Sequence, residues 1–487
     1  MPHRRFPLAA AAVALLATTA APATAEPAPN RPQWTDCDGK PGTPQECATL
    51  DVPLDYRNPG GRKIQIAISR IKAAEAAKRH GILLTNPGGP GGAGLDLPSD
   101  LHSRLPKDVL DRFDLIGMDP RGIGQSGQVE CGQTGSLFEV TWPRHPGKHG
   151  FAADARAAAD LARQCHQRFG DRAPFLTTRN VARDLDVVRA ALGERTASYF
   201  GTSYGTYLGA VYTQLFPDRA DRVVLDSAVD PASAWRPSFR NWGPVNEQAL
   251  SEWADWTVRN GAPLGQTAER VRARLDALLP ELDRHPVRHG SFTFTGEVLR
   301  PVVRGVLYDE RDNPALTALI SDLDRGELRD PAAIALADQV AALPPADQLF
   351  SSHLAVACDD AEWPRDPARY AVDSALDGHR YPFFGAAASN IHPCAFWPGK
   401  PIEPPTQVVP GRAKSVLVVQ ASGDTATPLA GAKGLRRALG EQGRLVLLEN
   451  TRVHGVYANS GNACVDAEVT GYLVGGTLPA KDVSCQK

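Results

Sequence analysis

Beyond its first twenty-five residues the sequence has no apolar run approaching the roughly 20 residues that span a bilayer. It has no C-x-x-C pair, the spacing that structural zinc sites and thioredoxin-like redox centres use. Neither sign of charge predominates: 53 Lys and Arg stand against 55 Asp and Glu, and the basic residues form no stripe that would follow a nucleic-acid backbone. There is no tandem repeat and no long low-complexity tract. A globular chain remains, with no metal, cofactor, nucleic-acid or membrane partner expected; the oligomeric state is not legible here, and a monomer is favoured.

The first twenty-five residues, "MPHRRFPLAAAAVALLATTAAPATA", have a basic start, an apolar middle and the small residues Ala23, Thr24 and Ala25. That is the pattern of a secretory leader cut before Glu26, and its apolar part, about a dozen residues, is too short for a membrane anchor. Arg4-Arg5 resembles a twin-arginine signal, but its surroundings fit that signal poorly. Eight cysteines are an even number, which in an exported, extracellular protein favours disulfides. Pairing neighbours in sequence gives Cys37 with Cys47, Cys131 with Cys165, Cys358 with Cys394, and Cys464 with Cys485.

The apolar runs "GILLTN" and "FDLIGMD" each stop in a glycine-rich loop, as strands buried on both faces of a parallel sheet do. Over 180–194, Val181, Leu185, Val188 and Leu192 recur at helical spacing, followed by a strand at "SYFGTS", a helix at "YGTYLGAVYTQLFP" and a strand at "ADRVVLDS". The alternation then gives way to helical patterns carrying six of the eight tryptophans, which either pack a core or line a pocket. Strand patterns resume with "KSVLVVQASGD" and "RLVLLEN". The expected class is α/β: a mostly parallel central sheet with helices on both faces and an inserted helical cap. The expected divisions are a leader at 1–25, core at 26–230, cap at 231–405 and the rest of the core at 406–487.

Ser203 sits between Gly201 and Gly205 in "GTSYG", at a strand-to-helix junction. A hydroxyl needs a base, the base an orienting acid, and the developing oxyanion N–H donors. Asp424 and His454 follow later strands, so Ser203, Asp424 and His454 stand in the chain order of an α/β-hydrolase triad. Asp226 and Asp230, which also end a strand, are alternative acids. The loop "NPGGPGGAG" suits an oxyanion hole made by the backbone N–H of Gly89, or Gly88, with that of Tyr204. A phosphate-binding role is disfavoured because no Lys-Ser/Thr follows. "GIGQSG" satisfies G-x-G-x-x-G at Gly122, Gly124 and Gly127 but opens no helix, so dinucleotide binding is not expected.

The segments "NPGGPGGAG", "DLIGMDPRGIGQS", "GTSYGTYLGAVYTQLFP", "RVVLDSAVDP", "VVQASGDTATP" and "VHGVY" resemble, in order, the secreted tripeptidyl aminopeptidases and their proline-iminopeptidase-like relatives, with a TAP-like C-terminal part. The resemblance implies an α/β-hydrolase fold, the triad Ser203, Asp424 and His454, and release of tripeptides from free peptide amino termini through an acyl-enzyme. An ammonium group calls for a carboxylate partner, and "CDDAEW" in the cap supplies Asp360 and Glu362 as candidates beside Cys358. A carboxylesterase or lipase would share the triad, and a catalytically silent binding protein would share only the fold.

Overall fold

Strands that are apolar without alternation need cover on both faces, and here they have it. Every residue of Gly81–Asn86, Phe113–Met118 and Val416–Ala421 is buried. The computed structural model describes residues 31–37, 44–134, 146, 150–261, 263–343 and 345–487, so the leader read at 1–25 lies outside the described residues. In chain order the strands are β1 (Thr35–Asp36), β2 (Gln45–Pro53), β3 (Lys63–Ile71), β4 (Gly81–Asn86), β5 (Phe113–Met118), β6 (Ala197–Thr202) and β7 (Ala220–Asp226). There follow β8 (Val287–His289), β9 (Phe292–Phe294), β10 (Val416–Ala421), β11 (Gly443–Leu448) and β12 (Val483–Cys485).

Ten of these strands form one sheet in the order β1-β2-β3-β5-β4-β6-β7-β10-β11-β12. From β5 to β12 all neighbours pair in parallel, while β1, β2 and β3 make an antiparallel edge. The chain steps from β4 to β5 on one side, then returns to place β6 on the other side of β4. That reversal opens a crevice beyond the carboxyl ends of β4 and β6, where ligands of open α/β sheets bind. The glycine-rich loop after β4 and Ser203 after β6 both emerge there.

Between β7 and β10 the chain leaves the sheet. Helices at Trp242–Arg259, Ala268–Arg284, Gly296–Val306, Asn313–Asp324 and Pro331–Ala341 pack around their own core, in which Leu250, Trp253, Leu275, Phe294, Leu299 and Leu319 are fully buried. The region is not purely helical, because β8 and β9 form an antiparallel hairpin. Strands of three residues carry too little periodicity to be read from sequence, and β12 escapes for the same reason. The tryptophans divide between both expected roles: Trp253 and Trp397 are sealed in cores, whereas Trp235 and Trp242 line a cavity.

All four disulfides join sequence neighbours: Cys37–Cys47, Cys131–Cys165, Cys358–Cys394 and Cys464–Cys485. The third ties the end of the helix Ala346–Asp360 to the turn Pro393–Phe396. It also brings His392 beside two sulfurs, a grouping of metal-ligand types whose sulfurs are consumed by the bridge. Replacing Cys358 and Cys394 together by serine is expected to cost about 2–4 kcal/mol, because the reduced chain regains loop entropy. A fall in the thermal midpoint relative to the parent protein measures it.

Candidate active site

Ser203 follows β6 directly and precedes the helix Tyr204–Leu215, with φ 59° and ψ −126°. A residue bearing a Cβ holds such a conformation only where its surroundings impose it. Three backbone-anchored bonds do so: Ser203 N–H donates to Asp226 O (3.0 Å), and its carbonyl accepts from Thr206 N (2.9 Å) and Thr206 Oγ1 (2.6 Å). The flanking glycines are steric necessities of this turn. A Cβ at Gly201 would lie 2.5 Å from Gly205 O, and one at Gly205 would lie 2.8 Å from Asn86 O.

Asp424 leaves the end of β10 and is almost wholly buried. Its Oδ1 accepts from Ala426 N and Thr427 N, both at 2.9 Å, and its Oδ2 accepts from Thr427 Oγ1 at 2.9 Å. His454, in the loop after β11, donates from Nδ1 to Asp424 Oδ2 (2.9 Å). Burial works against charge on the imidazole, but the Coulomb field and hydrogen bond of Asp424 outweigh it and hold the His454 pKa above its ordinary value.

Asp226 has a different position from the one an orienting acid would need. Its carboxylate turns to the backbone of the histidine loop, accepting from Val456 N (2.9 and 3.0 Å) and Tyr457 N (2.9 Å), while Ser227 Oγ accepts from Gly455 N (2.8 Å). Full burial pushes the Asp226 carboxyl up to about 6 despite the bonds from Tyr457 and Val456. Asp230 caps its own turn through Ala232 N. Asp226 and Ser227 thus fix the loop that carries His454, a role the sequence signals only as one more acid at a strand end.

In the loop after β4, Gly88 N–H is taken by Asn86 Oδ1 (3.0 Å). A Cβ on Gly88, whose φ is +98°, would lie 2.9 Å from Ser203 Cβ and 3.3 Å from Tyr204 N. The loop backbone therefore rests on the serine turn. Tyr204 opens its helix, so its N–H has no acceptor within the helix. Gly89 lines the cavity beside Ser203.

Two cavities meet at Ser203. The larger, about 460 Å³, is bordered by Ser203, His454, Gly89, Arg304, Tyr308 and Phe350. The smaller, about 70 Å³, has Tyr204, Tyr207, Trp235, Phe239 and Trp242 around Ser203. His353 borders both, and burial pushes its pKa down to about 4, so its imidazole is neutral near pH 7. The described lining residues of the two cavities include no carboxylate.

A serine turn, a carboxylate-oriented imidazole and a glycine loop converge at one crevice. The chain is 35% identical to a tripeptidyl aminopeptidase of Streptomyces coelicolor, covering 93% of this chain and 85% of that protein. The chain belongs to the tripeptidyl aminopeptidase family. An "alpha/beta hydrolase fold" family model matches residues 81–299 and a "TAP-like protein" model matches 381–485. Two further family relatives are the serine protease Hip1 of Mycobacterium tuberculosis (30% identical, 95% of this chain and 92% of that one) and its carboxylesterase B (31%, 90% and 86%). As a family member the protein is a serine hydrolase.

The cap acids expected to meet a substrate's amino terminus lie elsewhere in this family member. Asp360 is buried behind the serine helix, where it accepts from Thr178 N (2.7 Å) and Thr178 Oγ1 (2.5 Å), and Thr178 Oγ1 in turn meets the Tyr204 hydroxyl (2.7 Å). Glu362 is exposed and 3.6 Å from Lys400 Nζ. Neither borders the cavities at Ser203. The reason is local: Asp360 ends a helix whose last turn is buried against the start of the helix Thr178–Ala191, and Glu362 lies beyond it at the surface.

Proposed function

We propose that the protein is a secreted serine exopeptidase that releases tripeptides, or short amino-terminal peptides, from peptides with free amino termini. Ser203 attacks the carbonyl, His454 takes its proton and later gives it to the leaving amine, and Asp424 holds the imidazole in the productive tautomer. The N–H groups of Gly89 and Tyr204 receive the oxyanion. The observation that carries the mechanism is the Asp424–His454 hydrogen bond at the rim of the cavity that Ser203 also borders. Peptide chemistry is supported by the relatives named tripeptidyl aminopeptidase, and export by the leader-like start and four disulfides.

A carboxylesterase is the second reading, favoured by cavity walls that are aromatic and, among the described residues, free of carboxylates. Incubating the protein with matched free and N-acetylated peptides, and weighing the products, separates the two. Tripeptides from free ends alone support the exopeptidase; ester cleavage with no peptide cleavage sinks it. Gly88→Ala is expected to lower kcat about a hundredfold or more, since its Cβ would crowd Ser203 and Tyr204 at the proposed oxyanion site. Steady-state kinetics on either substrate class measures this, alongside an unchanged near-ultraviolet spectrum.

A further inference from the structure

The helix Gly296–Val306 has two faces. Val298, Leu299, Val302, Val303 and Val306 are buried in the cap core. Pro301, Arg304 and Gly305, with Tyr308 one turn on, follow the i, i+3, i+4, i+7 spacing and face the large cavity. Arg304 is thus a cation on the wall of the same cavity that Ser203 and His454 border. Its guanidinium carbon lies 3.9 Å from the Trp242 ring centroid, with the rings of Tyr308 and Phe384 at 5.2 and 5.4 Å.

Two observations indicate that this cation faces a ligand. Stacking on aromatic rings engages the faces of a guanidinium and leaves its in-plane N–H donors unused. Arg304 Nε is buried without a hydrogen-bond partner, and among the described residues no carboxylate lies within ion-pair distance of the side chain. The support is also rigid: Trp242 Nε1 donates to Ala426 O (2.7 Å), and Ala426 N donates to Asp424 Oδ1. Arg304 is thereby held in register with the proposed acid and base, and the Tyr308 ring packs at 5.4 Å from that of His454.

We infer that Arg304 is an anion subsite for a carboxylate carried by the leaving fragment of the substrate. Resting on the acyl-transfer mechanism proposed above, the assignment of sides follows from His454, which protonates the leaving group and borders only the larger of the two cavities. The acyl side chain then occupies the small aromatic cavity, and the fragment that departs extends past His454 towards Arg304. The carboxylate belongs either to the carboxyl terminus of a short peptide or to an acidic side chain. In both cases planar N–H donors meet a charged acceptor in a partly desolvated site.

Four peptides sharing one acyl part test this: leaving fragments ending in Gly-OH, Gly-NH2, Glu-NH2 and Gln-NH2. The expected result is kcat/KM about ten- to a hundredfold higher for Gly-OH over Gly-NH2, for Glu-NH2 over Gln-NH2, or for both. The responding pair identifies the source of the carboxylate. In Arg304→Gln the ratio should fall towards one, and in Arg304→Glu it should invert. Because each ratio is taken within one protein, partial loss of folded enzyme cancels. A parallel pair of esters, with a carboxylate or its amide on the departing alcohol, asks the same question if peptides are not cleaved, so failure of the peptidase reading stays distinguishable. A wild-type ratio near one in every cleaved pair, or a ratio that survives Arg304→Gln, overturns the inference.

Discussion

Ser203→Ala is expected to abolish labelling by a fluorophosphonate and to lower kcat by about 10⁶, as removal of a triad nucleophile does in other serine hydrolases. Folding should be little affected, because the contacts that impose the unusual φ at Ser203 are made by its backbone and by Thr206. Alanine retains the N–H that bonds Asp226 O and the carbonyl that accepts from Thr206. Residual catalysis of about 10³–10⁴ over water should persist if the N–H groups of Gly89 and Tyr204 still polarise the carbonyl. Labelling with a fluorophosphonate, kinetics and circular dichroism on the one variant check all three statements. A variant that still labels would place the nucleophile elsewhere.

The parts of the site legible in the sequence are those whose signal is local. Ser203, Asp424 and His454 each follow an apolar strand pattern, and in a parallel sheet that alone brings them to one edge. The four disulfides were equally readable, since each joins neighbours in sequence. What escaped depends on direction and on distant partners. Asp360 and Glu362 stand two residues apart, yet one is sealed against Thr178 and the other is in solvent, a difference set by where a helix ends. Arg304 on an amphipathic helix reads as a solvated cation. Its place at the cavity depends on Trp242 and Phe384, far away in the chain. Asp226 was visible as an acid but not as a clamp, because its partners are backbone N–H groups of another loop.

Asp424→Asn and Asp226→Asn separate orientation of the imidazole from positioning of its loop. Asp424 does two things for His454: it fixes the tautomer and it favours the protonated ring. Asparagine can present an N–H where the carboxylate accepted one, turning the ring to the wrong tautomer, so kcat should fall by about 10⁴. The pH profile gives the second readout. His454 acts as base only when neutral, so kcat/KM rises as pH climbs through its pKa, which Asp424 holds above the ordinary value. Without that carboxylate, burial, the largest influence, and the Coulomb field of Arg304 oppose charge on the ring and only the field of Asp226 still favours it, so the residual activity should gain its acid limb at lower pH than in the parent. Asp226→Asn leaves the Asp424–His454 bond in place. It weakens the bonds to Val456 and Tyr457, which should cost about 1–3 kcal/mol of stability and far less than 10⁴ in kcat. If the two variants exchanged these phenotypes, Asp226 would be the orienting acid and the loop would need another clamp.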